Sequence, residues 1–218
     1  MRRWTTRGFR QSVRQVMAEF KIQRRHRASV KQARRLTPPS DLKIQFGSGS
    51  KRQPGWINID LFAPSADYAL DLREEIPFPD NVASLIYSQH VLEHFVYPAE
   101  VQHLLAESFR ILRPGGIFSV AVPDCGSALH AYARGEDEFF TFWRLRSYLT
   151  TETATRMHHV NYLFRADGRH QYGWDAETLG QVLTNAGFVQ AHVRAFDPDL
   201  DSENRRLRSL YMQAMKPL

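Results

Sequence analysis

Residues 44–61 read IQFGSGSKRQPGWINIDL, in which a Gly-x-Gly turn (Gly47, Ser48, Gly49) is followed by Asp60 only 13 residues after Gly47. Glycines let the backbone come close to a ligand, and a carboxylate can accept both hydroxyls of a ribose. A dinucleotide site would open a long helix at such a turn and meet its acid about 20 residues later. Here Pro54 and Gly55 lie in the gap and leave no room for that helix. Without a helix N-terminus to hold a pyrophosphate, the spacing suits a nucleoside ligand that carries no phosphates. Asp71 places a second carboxylate where an adenine amino group would lie, and Ser88 stands at the end of a further apolar run.

These residues can meet only if strand ends share one rim. LKIQF (42–46), WINIDL (56–61), DYALDL (67–72) and SLIYS (84–88) read as strands. AEVQHLLAESFRILR (99–113) puts Val101, Leu104, Leu105, Ser108 and Leu112 on one helical face. Pro114-Gly115-Gly116 should stop that helix before a strand in IFSVAVP. This order predicts an α/β fold with a doubly wound, mostly parallel sheet, whose ligands bind beyond the carboxyl ends of the strands. Residues 124–174 are rich in aromatics, His and Arg and too long for an ordinary connection, so a helical and loop insertion is expected there. Asp175 should cap a helix over ETLGQVLTNA that ends at Gly187, and strands in 188–196 and 207–216 complete the sheet. Pro38-Pro39 divides the chain into a basic helical arm, 1–39, and a body, 40–218.

Together FGSGS, GWINIDL, DLREEIPFPDN, SLIYSQHVLEH and ESFRILRPGGIFSVAVPD, spanning 42–124, resemble the class I S-adenosylmethionine-dependent methyltransferases, type 11 branch. The resemblance implies a seven-stranded Rossmann-like sheet and S-adenosyl-L-methionine as cofactor. It implies that Gly47, Ser48 and Gly49 approach the methionine part, Asp60 and Leu61 the ribose, and Asp71 and Leu72 the adenine, with Ser88 meeting the cofactor through its backbone at the fourth strand end. Gln45 stands where many relatives have an acid, and Lys51 where many have a third glycine.

The implied reaction is in-line displacement at the sulfonium methyl, which depends on positioning and on excluding water. A base is needed only for an acceptor that must lose a proton, and histidine suits that role. His90 and His94 are the expected catalytic residues, and His158, His159, His170 and Tyr172 the expected acceptor contacts. His90, Glu93 and His94 lie a helical turn apart, a spacing that metal ligands can share. A related Glu-x-x-Glu-His segment binds a divalent metal in a few methyltransferase groups. With a histidine in the first position, the expectation is that Glu93 and His94 tie the turn to nearby backbone, and no metal is expected. Cys125, the single cysteine, should be a pocket wall.

The net charge of +6 is unevenly spread. Residues 1–36 hold 12 of the 29 basic residues and one of the 23 acids, Glu19, so the body is mildly acidic. Such an arm points to an anionic surface, lipid or nucleic acid, while Phe9, Val13, Val16, Met17 and Phe20 recur at helical spacing as a docking stripe. One cysteine excludes an internal disulfide framework, and no apolar run suits a signal or a membrane span. The expected protein is cytoplasmic, able to lie at the inner membrane surface, and acts on a small molecule, a saccharide or a lipid-linked glycan. The alternatives are a nucleic-acid methyltransferase that grips phosphates with the arm, and a non-catalytic S-adenosylmethionine-binding scaffold.

Overall fold

A computed structural model describes residues 6–35, 41–145 and 155–218. Thr6 starts the first helix, α1 (Arg7–Ala33), its hydroxyl accepting the Phe9 amide at 3.2 Å. The prolines expected to end the arm lie outside the described residues.

Six strands build one sheet: β1 (Leu42–Phe46), β2 (Ile57–Ile59), β3 (Ala83–Gln89), β4 (Leu112–Pro123), β5 (Val189–Val193) and β6 (Ser209–Met215). Their order is β2-β1-β3-β4-β6-β5, with β1 to β4 parallel and β6 antiparallel to both its neighbours. The strand order reverses between β1 and β3, which is where open α/β sheets bind ligands. Ile44, Phe46, Ile86, Phe118 and Val120 are fully buried, as expected of central strands covered on both faces.

The described sheet has six strands rather than seven. DYALDL keeps a single bridge, Ile59 to Tyr68, and α1 lies along its other edge. The amides of Ala69 and Asp71 donate to Ser29 Oγ at 2.9 Å and His26 Nδ1 at 3.1 Å. Helix side chains thus satisfy alternate amides on the edge, one way that proteins blunt a free strand. The helix docks through Ser29, Val30 and Ala33. The expected stripe of Phe9, Val13, Val16, Met17 and Phe20 is exposed.

Helix α2 (Ala99–Ile111) buries Val101, Leu104, Leu105, Ser108 and Ile111. The chain then passes directly into β4, so Leu112 and Pro114-Gly115-Gly116 belong to the strand. Gly115 and Gly116 exchange backbone hydrogen bonds with Lys216 there, which draws the segment into the sheet. The insertion forms α3 (Cys125–Arg134), α4 (Asp137–Leu145) and α5 (Arg156–Arg165), packed around Cys125, Ala128 and Leu163 and around Ala131, Phe140 and Val160. The chain returns to the main core at the fully buried Trp174. Asp175 then caps α6 (Ala176–Asn185), accepting the Thr178 amide at 2.8 Å.

Candidate active site

The glycine turn leaves β1 at the sheet rim. Gly47 has φ +65°, and a Cβ there would lie 2.1 Å from Val91 Cγ2, so only glycine lets the turn approach the segment that leaves β3. The Gly49 amide donates to Asp60 Oδ2 at 2.9 Å, while Asp60 Oδ1 accepts the amides of Phe62 (2.8 Å) and Ala63 (2.7 Å). A carboxylate offers about four acceptor positions. Three are used, and Oδ2 keeps room for a hydroxyl. Gln45 pins the loop, its Oε1 accepting the Gln53 amide at 3.2 Å, so a neutral side chain performs a structural task where relatives often carry an acid.

Two buried hydroxyls belong to this region, Ser48 within the turn and Ser88 near the end of β3. Neither has a hydrogen-bond partner among the described residues, although buried polar atoms in folded proteins nearly always do. Backbone open to close approach, a carboxylate with a spare lone pair and two unsatisfied hydroxyls fit a polar, phosphate-free nucleoside ligand such as S-adenosylmethionine. Leu72 is buried, and the Leu61 carbonyl accepts from Arg25 at 3.2 Å.

Asp71 is differently placed. Its carboxylate accepts the Arg73 amide (3.0 Å), Nε (3.0 Å) and Nη2 (2.7 Å), and the same guanidinium reaches Glu19 of α1 at 2.9 Å. Burial raises the Asp71 carboxyl, but Arg73 outweighs it, and the group stays below the ordinary carboxylate range. With Glu19, Phe20, Gln23 and His26 it lines a cleft of about 860 Å³. Its carboxylate is engaged by Arg73.

Beyond β3, His90 sits at φ +55°, held by its amide on Ala121 O at 2.8 Å. A single 3-10 turn, Leu92–His94, directs Glu93 inward, where it is 1% exposed. Neither Glu93 oxygen has a hydrogen-bond partner among the described residues, and burial pushes its carboxyl up to about 8. His90 Nδ1 lies 3.5 Å from Glu93 Oε1, and the Nε2 atoms of His94 and His170 each lie 4.0 Å from it. Burial also lowers the pKa of His90 and His170. His94 does hold backbone, its Nδ1 lying 3.0 Å from Arg169 O. For Glu93 the backbone carbonyl does this work, accepting the amides of Gln171 (2.7 Å) and Tyr172 (3.3 Å), and the carboxylate does not.

The expected acceptor residues divide. His170 joins the Glu93 cluster, and Tyr172 stacks 4.7 Å from Tyr97 and 4.6 Å from Trp174. His158 instead closes a capping box with Thr155 at the start of α5, and His159 is buried with its ring 5.9 Å from Phe140. Cys125 is buried and its thiol is pushed up to about 12, which keeps it protonated and inert. The meeting of His170 with HVLEH had no local signal in the sequence, since their contact depends on how the insertion returns to the sheet.

Residues 57–120 match the family model described as a methyltransferase domain. An uncharacterized methyltransferase of Synechocystis is 35% identical over 57 residues, 26% of each chain. The ubiquinone/menaquinone biosynthesis C-methyltransferase of Neisseria gonorrhoeae is 30% identical over 115 residues, 53% of this chain and 43% of that one. The chain therefore spans less than half the length of these curated relatives. Among solved structures, the 1,6-didemethyltoxoflavin N1-methyltransferase of Burkholderia thailandensis superposes with a TM-score of 0.48 and 16% identity, covering 88% of this chain and 79% of that one. Among the described residues no helix is long and apolar enough to cross a membrane.

Proposed function

We infer from the match of residues 57–120 to a methyltransferase-domain family model that this chain is a class I S-adenosylmethionine-dependent methyltransferase, and that its acceptor is a small molecule, a saccharide or a lipid-linked glycan. The observation that carries the inference is the Gly47–Gly49 turn closed onto Asp60 beside two buried, unsatisfied serine hydroxyls. When bound, S-adenosylmethionine supplies an electrophilic methyl group on its sulfonium. Asp60 Oδ2 would accept from its ribose, and the Ser48 and Ser88 hydroxyls would be the groups available to its polar atoms. Leu61 would lie by the ribose and Leu72 by the base. Tyr97, Tyr172 and Trp174 form an aromatic wall next to the Glu93 turn and help to keep water from the transfer. If the acceptor is a hydroxyl, His90 and His94 are the rim groups able to take its proton.

The exposed apolar face of α1, flanked by Arg10, Arg14, Lys21 and Arg24, supports a second element of the reading. An amphipathic helix with basic flanks suits the interface of an anionic lipid surface, so we place the protein at that surface.

Calorimetric titration with S-adenosylmethionine and S-adenosylhomocysteine tests the cofactor site. Asp60→Ala removes a charged hydrogen bond of about 1.5–3 kcal/mol, so affinity should fall roughly tenfold to a hundredfold. Unchanged affinity in the variant would refute the ribose assignment. Absence of binding to either ligand by the folded wild-type protein would refute the methyltransferase reading.

A further inference from the structure

We propose that Glu93, His94 and His170 form a binding site for one first-row divalent metal ion of the zinc class, with His90 beside it. Single donor atoms from the three residues lie within 4.8 Å of one another, on the 3-10 turn after β3 and the loop after α5. Ligands held about 2.1 Å from a tetrahedral ion are about 3.4 Å apart, so closure needs only a modest contraction.

The hydrogen bonds on the far side of each ring set the tautomers. His94 Nδ1 faces the carbonyl of Arg169 at 3.0 Å, and His170 Nδ1 faces that of Leu163 at 2.6 Å. A carbonyl can only accept, so in the neutral rings both Nδ1 atoms carry the proton and both Nε2 lone pairs face Glu93. His90 is arranged the same way. Its Nε2 meets Ser209 Oγ at 2.8 Å, and that hydroxyl gives its own hydrogen to Arg205 O at 2.7 Å, so His90 Nδ1 also turns a lone pair toward Glu93. Glu93 and three imidazole lone pairs therefore converge around a side chain that is 1% exposed and has no hydrogen-bond partner among the described residues. A divalent cation would satisfy these groups together. Carbonyls that fix the ring opposite the metal are the usual supports of histidine ligands. His90 also holds a left-handed backbone, a kind of strain that gathers at functional sites.

Two imidazoles and one carboxylate favour zinc, iron, cobalt or nickel over magnesium or calcium, which prefer all-oxygen sites. The His94 side chain is 43% exposed, so the site is open on one side. On the methyltransferase reading, on which this consequence alone rests, an acceptor hydroxyl could occupy that open position and ionise more readily there. His90 would stand ready for its proton.

The test uses metal-stripped full-length protein titrated with Co²⁺, read by visible d–d absorption and by metal content after gel filtration. One ion per chain is expected. Glu93→Gln, His94→Ala and His170→Ala should each weaken binding at least tenfold, whereas His192→Ala on β5 should leave it unchanged. Circular dichroism and unfolding midpoints establish that each variant is folded, and the half-exposed His94 supplies a usable variant if the buried Glu93 does not tolerate change. Zn²⁺ should displace Co²⁺, and excess Mg²⁺ should not. The proposal is overturned if the folded protein takes up no Co²⁺, if the ligand variants bind it like the wild type, or if Mg²⁺ displaces it. Parallel titration with S-adenosylhomocysteine separates this from the cofactor reading, since either site can fail while the other binds.

Discussion

Replacing Gly47 by alanine should be among the more damaging single-methyl additions to this protein. Two costs can be estimated separately. At φ +65° an L-residue pays about 1–2 kcal/mol relative to glycine. The added Cβ would also meet Val91 Cγ2 at 2.1 Å, so one of the two must move by more than an ångström. Val91 is β-branched and has few rotamers to escape into, and overpacking of this kind costs about 1–3 kcal/mol. The sum, about 2–5 kcal/mol, is a large share of a typical stability of about 5–15 kcal/mol. Val91→Ala separates the two contributions. On its own it removes two methyl groups from a half-buried site, about 1 kcal/mol at ~0.8 kcal/mol per fully buried group. In combination with Gly47→Ala it removes the collision and leaves the backbone cost. Urea unfolding of the two single variants and the double variant, compared at constant m-value, should therefore give a favourable coupling of about 1–3 kcal/mol. Additivity to within about 0.5 kcal/mol would show that the Val91 contact does not dictate glycine at position 47, and the reasoning would fail.

Two other expectations concern charge. The folded Asp71 pKa lies below its unfolded value, so the unfolded chain binds more protons in the interval between them, and stability rises with pH there. The contribution of Asp71 is thus complete above about pH 4 and is lost as pH falls through the lower folded value. Asp71→Asn should flatten the fall in unfolding midpoint below about pH 4, and equal acid slopes in both proteins would refute the Arg73 pairing. On the arm, Val13→Glu with Met17→Glu should abolish co-sedimentation with phosphatidylglycerol vesicles while leaving the unfolding midpoint unchanged, because both side chains are exposed. Wild-type protein that ignores such vesicles but binds RNA with a steep salt dependence would instead favour the nucleic-acid alternative.

Features set by near neighbours in sequence were legible before the structure. The Asp175 cap, the buried face of α2 up to Ser108 and the turn from Gly47 to Asp60 each depend on a short stretch whose chemistry permits few conformations. Features that needed a distant partner were not. Asp71 reads as a free carboxylate until Arg73 folds back on it and Glu19 arrives from α1. DYALDL reads as a strand, and the periodicity does not reveal that helix side chains will occupy its outer edge. The apolar stripe of α1 was legible as a pattern, but its exposure was not, since periodicity identifies a face without saying what covers it. Glu93 is the sharpest case. Its spacing from His90 and His94 was visible, yet its carbonyl is held by the amides of Gln171 and Tyr172, which follow helices α3 to α5 in the chain.

The docking of Ser29 and His26 on the Ala69 and Asp71 amides changes the meaning of the arm. The same helix carries an exposed apolar face near its start and guards a sheet margin near its end, so the two features share one rod. A force that levered α1 away from the body would unmask two main-chain donors beside Leu72, and with them a margin on which another chain could build. On the proposed attachment to an anionic surface, the arm is a clasp as well as a tether, and loading the first half of the helix would bear through the second half on the strand edge at Ala69 and Asp71.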